Sequence, residues 1–165
     1  MVAKYQAQIE VIIAKNTGYR SVKAAYKELN KFRTTKKVWQ WKSNNKSKKY
    51  FNTNSKNKLK PLKRRADLEK TAKKRAKELV ECPAHTRPNG KEWYTVYPKR
   101  YKVVGENIAW GQRTAKEVTE DWKEENCNYN GQSHRRNMLY KNFSYVGIAC
   151  YEVDGYRYWV QCFGK

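Results

Sequence analysis

Near its C-terminus the chain reads Tyr145-Val146-Gly147-Ile148-Ala149-Cys150-Tyr151-Glu152-Val153, then Asp154-Gly155, then Tyr156-Arg157-Tyr158-Trp159-Val160-Gln161-Cys162-Phe163. Two runs rich in β-branched and aromatic residues flank an Asp-Gly pair. That pattern predicts an antiparallel hairpin closed by a type I′ turn. The turn fixes the register: Cys150 faces Trp159, and Cys162 faces Gly147. The two cysteines then sit too many rungs apart for a bridge.

Upstream, the periodicity is helical. Tyr5, Ile9, Ile12 and Ile13 share one face, and Asn16-Thr17-Gly18 reads as a stop. Ser21 is placed to cap a second helix with Val22, Ala25, Tyr26, Leu29 and Phe32 inward. After Pro61-Leu62, a third helix puts Leu68, Ala72, Ala76 and Leu79 on one stripe. Residues 83–105 carry turn punctuation and read as irregular, with a short strand at Trp93–Val96. Residues 106–111 form a short segment ending in Gly. Thr114 caps a fourth helix over 115–125, with Val118, Trp122 and Glu125 on one face. Residues 128–132 are turn-rich, and 135–140 make one or two helical turns. Helices followed by one antiparallel sheet give an α+β class with helices packed on the sheet.

Composition narrows the classes. The 165 residues hold 37 Lys and Arg against 15 Asp and Glu, for a formal charge of +22, and aromatics reach 14%. That aromatic content excludes a wholly disordered chain. The longest apolar run, near Val11-Ile12-Ile13-Ala14, is far short of a membrane span. Residues 1–60 contain only two acids, Glu10 and Glu28. The segment 34–60 is rich in Lys, Asn, Ser and Thr and reads as a solvated basic loop. Trp39, Trp41, Tyr50 and Phe51 interleave with its lysines. They suit anchors that pin the loop, although an aromatic and lysine platform for anionic partners has the same composition. Met1-Val2-Ala3-Lys4 opens an amphipathic segment, not a secretion leader. Cys82, Cys127, Cys150 and Cys162 fit no zinc-knuckle spacing, which leaves thiols and disulfides both open.

Chemistry concentrates in two loops. The only histidines, His85 and His134, both sit beside turn residues. Glu106 lies at the edge of an apolar run. Glu125 falls on the apolar face of its helix, three residues after Trp122, where a carboxylate needs a partner. That partner is an Arg or Lys in the bland case, and a histidine or metal in the functional one. Two His and two Glu can hold Zn²⁺ or another divalent cation, or act as general acids and bases.

Four segments carry a resemblance: His85-Thr86-Arg87-Pro88-Asn89-Gly90, Gly105-Glu106-Asn107-Ile108-Ala109-Trp110, Ser133-His134-Arg135-Arg136-Asn137-Met138-Leu139 and Tyr158-Trp159-Val160-Gln161. In this order they resemble the CAP superfamily, the cysteine-rich secretory, antigen 5 and pathogenesis-related (SCP-domain) proteins, and its bacterial branch above all. Leu29-Asn30-x-x-Arg33 and Leu68-x-x-x-Ala72-x-x-Arg75-Ala76-x-x-Leu79 are similar to that branch's first two helices. The resemblance implies a three-layer α-β-α sandwich with a central antiparallel sheet and a cleft. It maps the cleft histidines to His85 and His134 and one acid to Glu106. The Trp122, Glu125 and Tyr129 spacing of animal members assigns Glu125 as the second acid. It further implies a secreted or cell-surface protein that binds a lipid, sterol or glycan, in some members with a divalent cation on the two histidines.

Several features depart from the family pattern. Ser133 replaces the usual Gly before the second histidine and puts a hydroxyl beside His134. The basic segment 34–60 looks inserted. A Cys82–Cys127 bridge would link the two histidine loops. The expected organisation is an N-terminal helical extension over 1–20 and a monomeric CAP-like domain over 21–165. Binding of a ligand in the cleft, with a basic surface for an anionic cell-surface polymer, is the favoured reading. A protease-like hydrolase using the tetrad is one alternative. A polyanion or nucleic-acid binder with a structural tetrad is the other, with nucleic acid disfavoured.

Overall fold

The computed structural model describes residues 2–165, with the side chains of 11–15 outside the described set. The expected hairpin is its spine. Strand β6 (Tyr145–Val153) pairs antiparallel with β7 (Tyr156–Gly164), with Cys150 opposite Trp159 and Cys162 opposite Gly147. Asp154 and Gly155 both have positive φ, 51° and 79°, as a type I′ turn requires. The segment from 106 to 111 is longer than its sequence suggests. It is strand β5 (Val104–Trp110), antiparallel to β7 along its whole length. Two short strands complete the sheet: β1 (Gly18–Tyr19) is antiparallel to β6, and β4 (Lys63–Arg64) runs parallel to it. The order is β1-β6-β7-β5.

Both faces of this sheet are covered, which is why the hairpin strands read as nearly continuous apolar runs. On one side lies helix α3 (Ala66–Glu81), whose Leu68, Ala72, Ala76 and Leu79 are fully buried against Ala149, Val160 and Cys162. On the other side lie α2 (Lys23–Arg33), α4 (Ala115–Lys123) and α5 (Ser133–Leu139). Their Leu29, Phe32, Val118, Trp122 and Met138 meet Ile148, Cys150, Trp159 and Phe163. Alternate residues of one strand therefore feed two cores. The result is the three-layer α-β-α sandwich.

Burial pushes the Cys150 thiol up to about 12. Cys82, Cys127, Cys150 and Cys162 are unpaired in the structure. Cys82 donates to the Thr86 carbonyl, and Cys127 is exposed.

Helix α1 (Val2–Asn16) precedes this body. Its Tyr5 and Ile9 are exposed, and the Ile12 and Ile13 side chains lie outside the described residues. No helix among the described residues is long and apolar enough to cross a membrane.

Local expectations differ from the structure at three places. Ser21 does not cap α2; Val22 holds that position and makes no side-chain cap bond. Trp93–Val96 is a 3₁₀ turn, not a strand, and leads to Tyr97, whose hydroxyl donates to the Gly105 carbonyl at 2.7 Å. The basic segment is ordered. It forms a hairpin of β2 (Trp39–Trp41) and β3 (Lys48–Tyr50), with Lys48 Nζ 3.6 Å from the Trp39 ring centroid. Val38, Phe51 and Leu59 enter the main core. Asn52 donates to the Arg33 and Thr35 carbonyls and accepts from Leu59 N, closing the segment onto α2. Phe51 is thus an anchor, while Tyr50 stays exposed. Composition alone underestimated what three buried side chains and one bridging Asn can order.

One contact of the sheet with α3 is backbone to backbone. A Cβ on Gly147 would lie 2.1 Å from the Leu68 carbonyl carbon and 2.2 Å from Glu69 N. Neither neighbour can swing aside, so α3 lies directly on β6 only because residue 147 has no side chain. Gly147→Ala is expected to cost about 3 kcal/mol or more, as severe overpacking does, measured by urea denaturation.

Candidate functional site

Strand β5 carries the centre of the site because adjacent residues point to opposite faces. Glu106 points toward α3 and is 4% exposed. There it meets Arg75, which is fully buried on the same helical stripe as Ala72 and Ala76. Arg75 grips the carboxylate with two donors, Nε to Oε2 at 2.7 Å and Nη2 to Oε1 at 3.1 Å. The same guanidinium donates to the Ala84 carbonyl at 2.9 Å and the His85 carbonyl at 3.3 Å, which fixes the histidine loop. Glu106 Oε1 then takes His85 Nδ1 at 3.0 Å. The His85 side chain is about half exposed, with the Trp93 ring 6.4 Å away between centroids.

Around this centre the charges are paired. Glu78 accepts from Arg75 Nη1 at 2.8 Å and from Arg87 Nη2 at 2.8 Å. Burial opposes its ionisation, but the Arg87 and Arg75 hydrogen bonds hold it below its ordinary value. Burial also opposes the Arg75 charge, yet Glu106 and Glu78 raise its pKa above the ordinary arginine value.

The second histidine belongs to the other face. Asn107 donates to the His134 carbonyl at 3.2 Å and to Gln161 Oε1 at 3.0 Å. Asn137 donates to the Glu106 carbonyl and to Asn107 Oδ1. Both histidine loops are thereby tied to neighbouring residues of β5.

The carboxylate facing His134 is Glu124, not Glu125. Glu124 Oε1 lies 2.5 Å from His134 Nδ1, and its Oε2 accepts from the backbone N–H groups of His134 and Arg135. The reason is local. Helix α4 ends at Lys123, and Glu124 takes a left-handed conformation with φ 46°. Helical periodicity cannot be carried past that point, and Glu125 is exposed. The Trp122 ring lies 6.4 Å from His134, mirroring Trp93 beside His85. Tyr129 sits under the Arg136 guanidinium, 4.1 Å from it, and its N–H donates to Asn45 of the basic segment. Ser133 is the exposed first residue of α5, and no hydrogen bond links it to His134 among the described residues.

An ionised carboxylate only accepts hydrogen bonds, so each neutral imidazole carries its proton on Nδ1 and leaves Nε2 with a free lone pair. A carboxylate behind an imidazole is also the usual support of a metal-ligating histidine. However, both carboxylates are already engaged, and among the described residues no three His, Cys, Asp or Glu side chains gather as a metal-holding group. A closed four-ligand zinc site does not fit this donor set. Arg75, Glu124, Asn107 and Asn137 are the members that sequence reasoning missed. Arg75 alone carried a signal: a charged residue within an apolar helical stripe.

The model of the cysteine-rich secretory protein (CAP) family matches residues 26–163 of the chain. An uncharacterized protein of Bacillus subtilis (strain 168), YkwD, is 30% identical over 112 residues, which are 64% of this chain. The match spans only 40% of that relative's length. An outer surface protein from Borrelia burgdorferi superposes with a TM-score of 0.62 at 21% identity, covering 89% of this chain and 96% of that one. NaASP2, solved with Zn²⁺, gives 0.56 at 18% identity, covering 85% and 76%. These two structural likenesses show the fold.

Two outcomes are expected from the buried network. Arg75→Met strands the Glu106 charge and is expected to destabilise the fold by about 3–5 kcal/mol in urea denaturation. Because the folded-state pKa of Glu78 is depressed, its contribution is present above the unfolded pKa and is lost as pH falls through the folded value. Glu78→Gln is therefore expected to flatten the acid limb of a stability-versus-pH profile below about pH 4.5, where thermal melts would show it.

Proposed function

The chain belongs to the cysteine-rich secretory protein (CAP) family, and from there we propose that it is a ligand-binding domain of the cell surface or the extracellular space. One observation carries this reading: two imidazoles, each held at Nδ1 by a carboxylate and flanked by an indole, offer Nε2 as an acceptor. Acceptors oriented in this way suit the hydroxyl groups of a lipid, sterol or glycan, with the partly exposed Trp93 ring beside His85 as an apolar face. The name of the Borrelia neighbour supports the surface location. The excess of lysine supports a basic face toward anionic surroundings. A divalent cation enters as an exchangeable ligand of the two Nε2 atoms, not as a resident cofactor.

Calorimetric titration of the metal-stripped protein with Zn²⁺ and Mg²⁺, beside a His85→Ala/His134→Ala double variant, tests this reading. Imidazole suits Zn²⁺, whereas Mg²⁺ prefers oxygen. Weak Zn²⁺ binding that disappears in the double variant is expected, with no response to Mg²⁺. Zn²⁺ binding that survives the double substitution, or a silent wild type, would overturn it.

A further inference from the structure

The basic segment and the turn after α5 enclose a groove that the histidine site does not use. Its cavity, about 460 Å³, is lined by Lys58, Lys60, Lys63, Lys141 and Lys165. It shares Lys58 and Leu59 with a neighbouring cavity that adds Lys36. It shares Lys141 and Asn142 with a third that adds Lys49 and Arg136. No Asp or Glu side chain lines any of the three. The three cavities adjoin through these shared residues, and the charged side chains that line them are all basic.

Arg33 also lines this groove, although it is only 1% exposed. Its Nε donates to the Lys60 carbonyl at 2.8 Å, and its Nη1 to the carbonyls of Met138 at 2.7 Å and Tyr140 at 3.1 Å. Among the described residues no carboxylate meets it, and Nη2 has no hydrogen-bond partner. Burial drives its pKa down to about 10. A buried guanidinium without a counter-charge is costly, and an oxyanion in the groove would provide one.

We propose that this groove binds an anionic surface polysaccharide, with Arg33 at the floor and the lysines along the rim taking its phosphate or sulfate groups. The proposal rests on the basic-face part of the reading above. Two features favour a polysaccharide over a nucleic acid or a membrane. Phe143 is buried and stacked on Phe163, and the Tyr145 ring lies under the Arg65 guanidinium, so the cavity around Arg33 offers no open ring for bases, and the exposed Tyr140 ring lines only the third cavity. The Leu and Phe side chains that line the three cavities, Leu59, Phe51, Leu139 and Phe143, are all buried, so among the described residues no exposed Leu or Phe stands ready to enter a bilayer.

Because Arg33 also ties three carbonyls, variants of the exposed lysines carry the test. Fluorescence anisotropy would follow a labelled sulfated oligosaccharide and a labelled polyol-phosphate oligomer. Three proteins are compared: wild type, Lys58→Ala/Lys60→Ala/Lys141→Ala, and the charge-matched control Lys74→Ala/Lys91→Ala/Lys116→Ala. The groove variant is expected to lose about tenfold or more in affinity for at least one probe and the control less than about threefold, since exposed charges beyond a Debye length are screened. Equal losses would overturn the groove and leave the basic-face reading standing. No binding by wild type would overturn both. Tighter binding to single-stranded DNA or to anionic vesicles than to either probe would overturn the polysaccharide assignment.

Discussion

The ion pair between Arg75 and Glu106 is the constraint on which the site depends. Both side chains are fully buried, one on α3 and the other on β5. The guanidinium reaches past the carboxylate to the Ala84 and His85 carbonyls, so one group registers a helix, a strand and a loop. A buried pair of this kind adds little net stability over an apolar isostere, because desolvation offsets most of the attraction. Its effect is geometric. Apolar residues could fill the same volume, but they could not aim the His85 ring.

The two histidines reach similar settings by different routes. His85 is oriented by a strand residue that is itself locked from behind. His134 is oriented by Glu124, a residue released from helical geometry by the left-handed end of α4. Adjacent residues on β5 join the two halves, with Glu106 serving one face and Asn107 the other. A single strand thus couples loops that pack in different layers of the sandwich.

The hairpin was legible because Asp154-Gly155 admits one turn type, and that turn dictates every rung of β6 and β7. The stripe of α3 was legible because Leu68, Ala72, Ala76 and Leu79 keep helical spacing. Strand β5 was hidden: Glu106 and Asn107 are polar in a strand buried on both faces, and only their tertiary partners Arg75 and Gln161 make them tolerable there. Glu124 was hidden for a backbone reason, since nothing in Lys123-Glu124-Glu125 marks which residue turns left-handed. The order of the basic segment depends on Asn52 bridging α2 and Leu59, a contact between distant positions that composition cannot express. The family motifs singled out the two histidines and Glu106, and the hydrogen bonds around those residues are what the motifs alone could not express.

The tautomeric state of the two histidines tests the carboxylate-oriented site most directly. Long-range ¹H–¹⁵N correlation spectra, recorded at a pH where both rings are neutral, report which nitrogen carries the proton. Ionised Glu106 and Glu124 can only accept, so both rings are expected as Nδ1–H tautomers with unprotonated Nε2. An Nε2–H tautomer at either His85 or His134 would contradict the pairing on which the site is built.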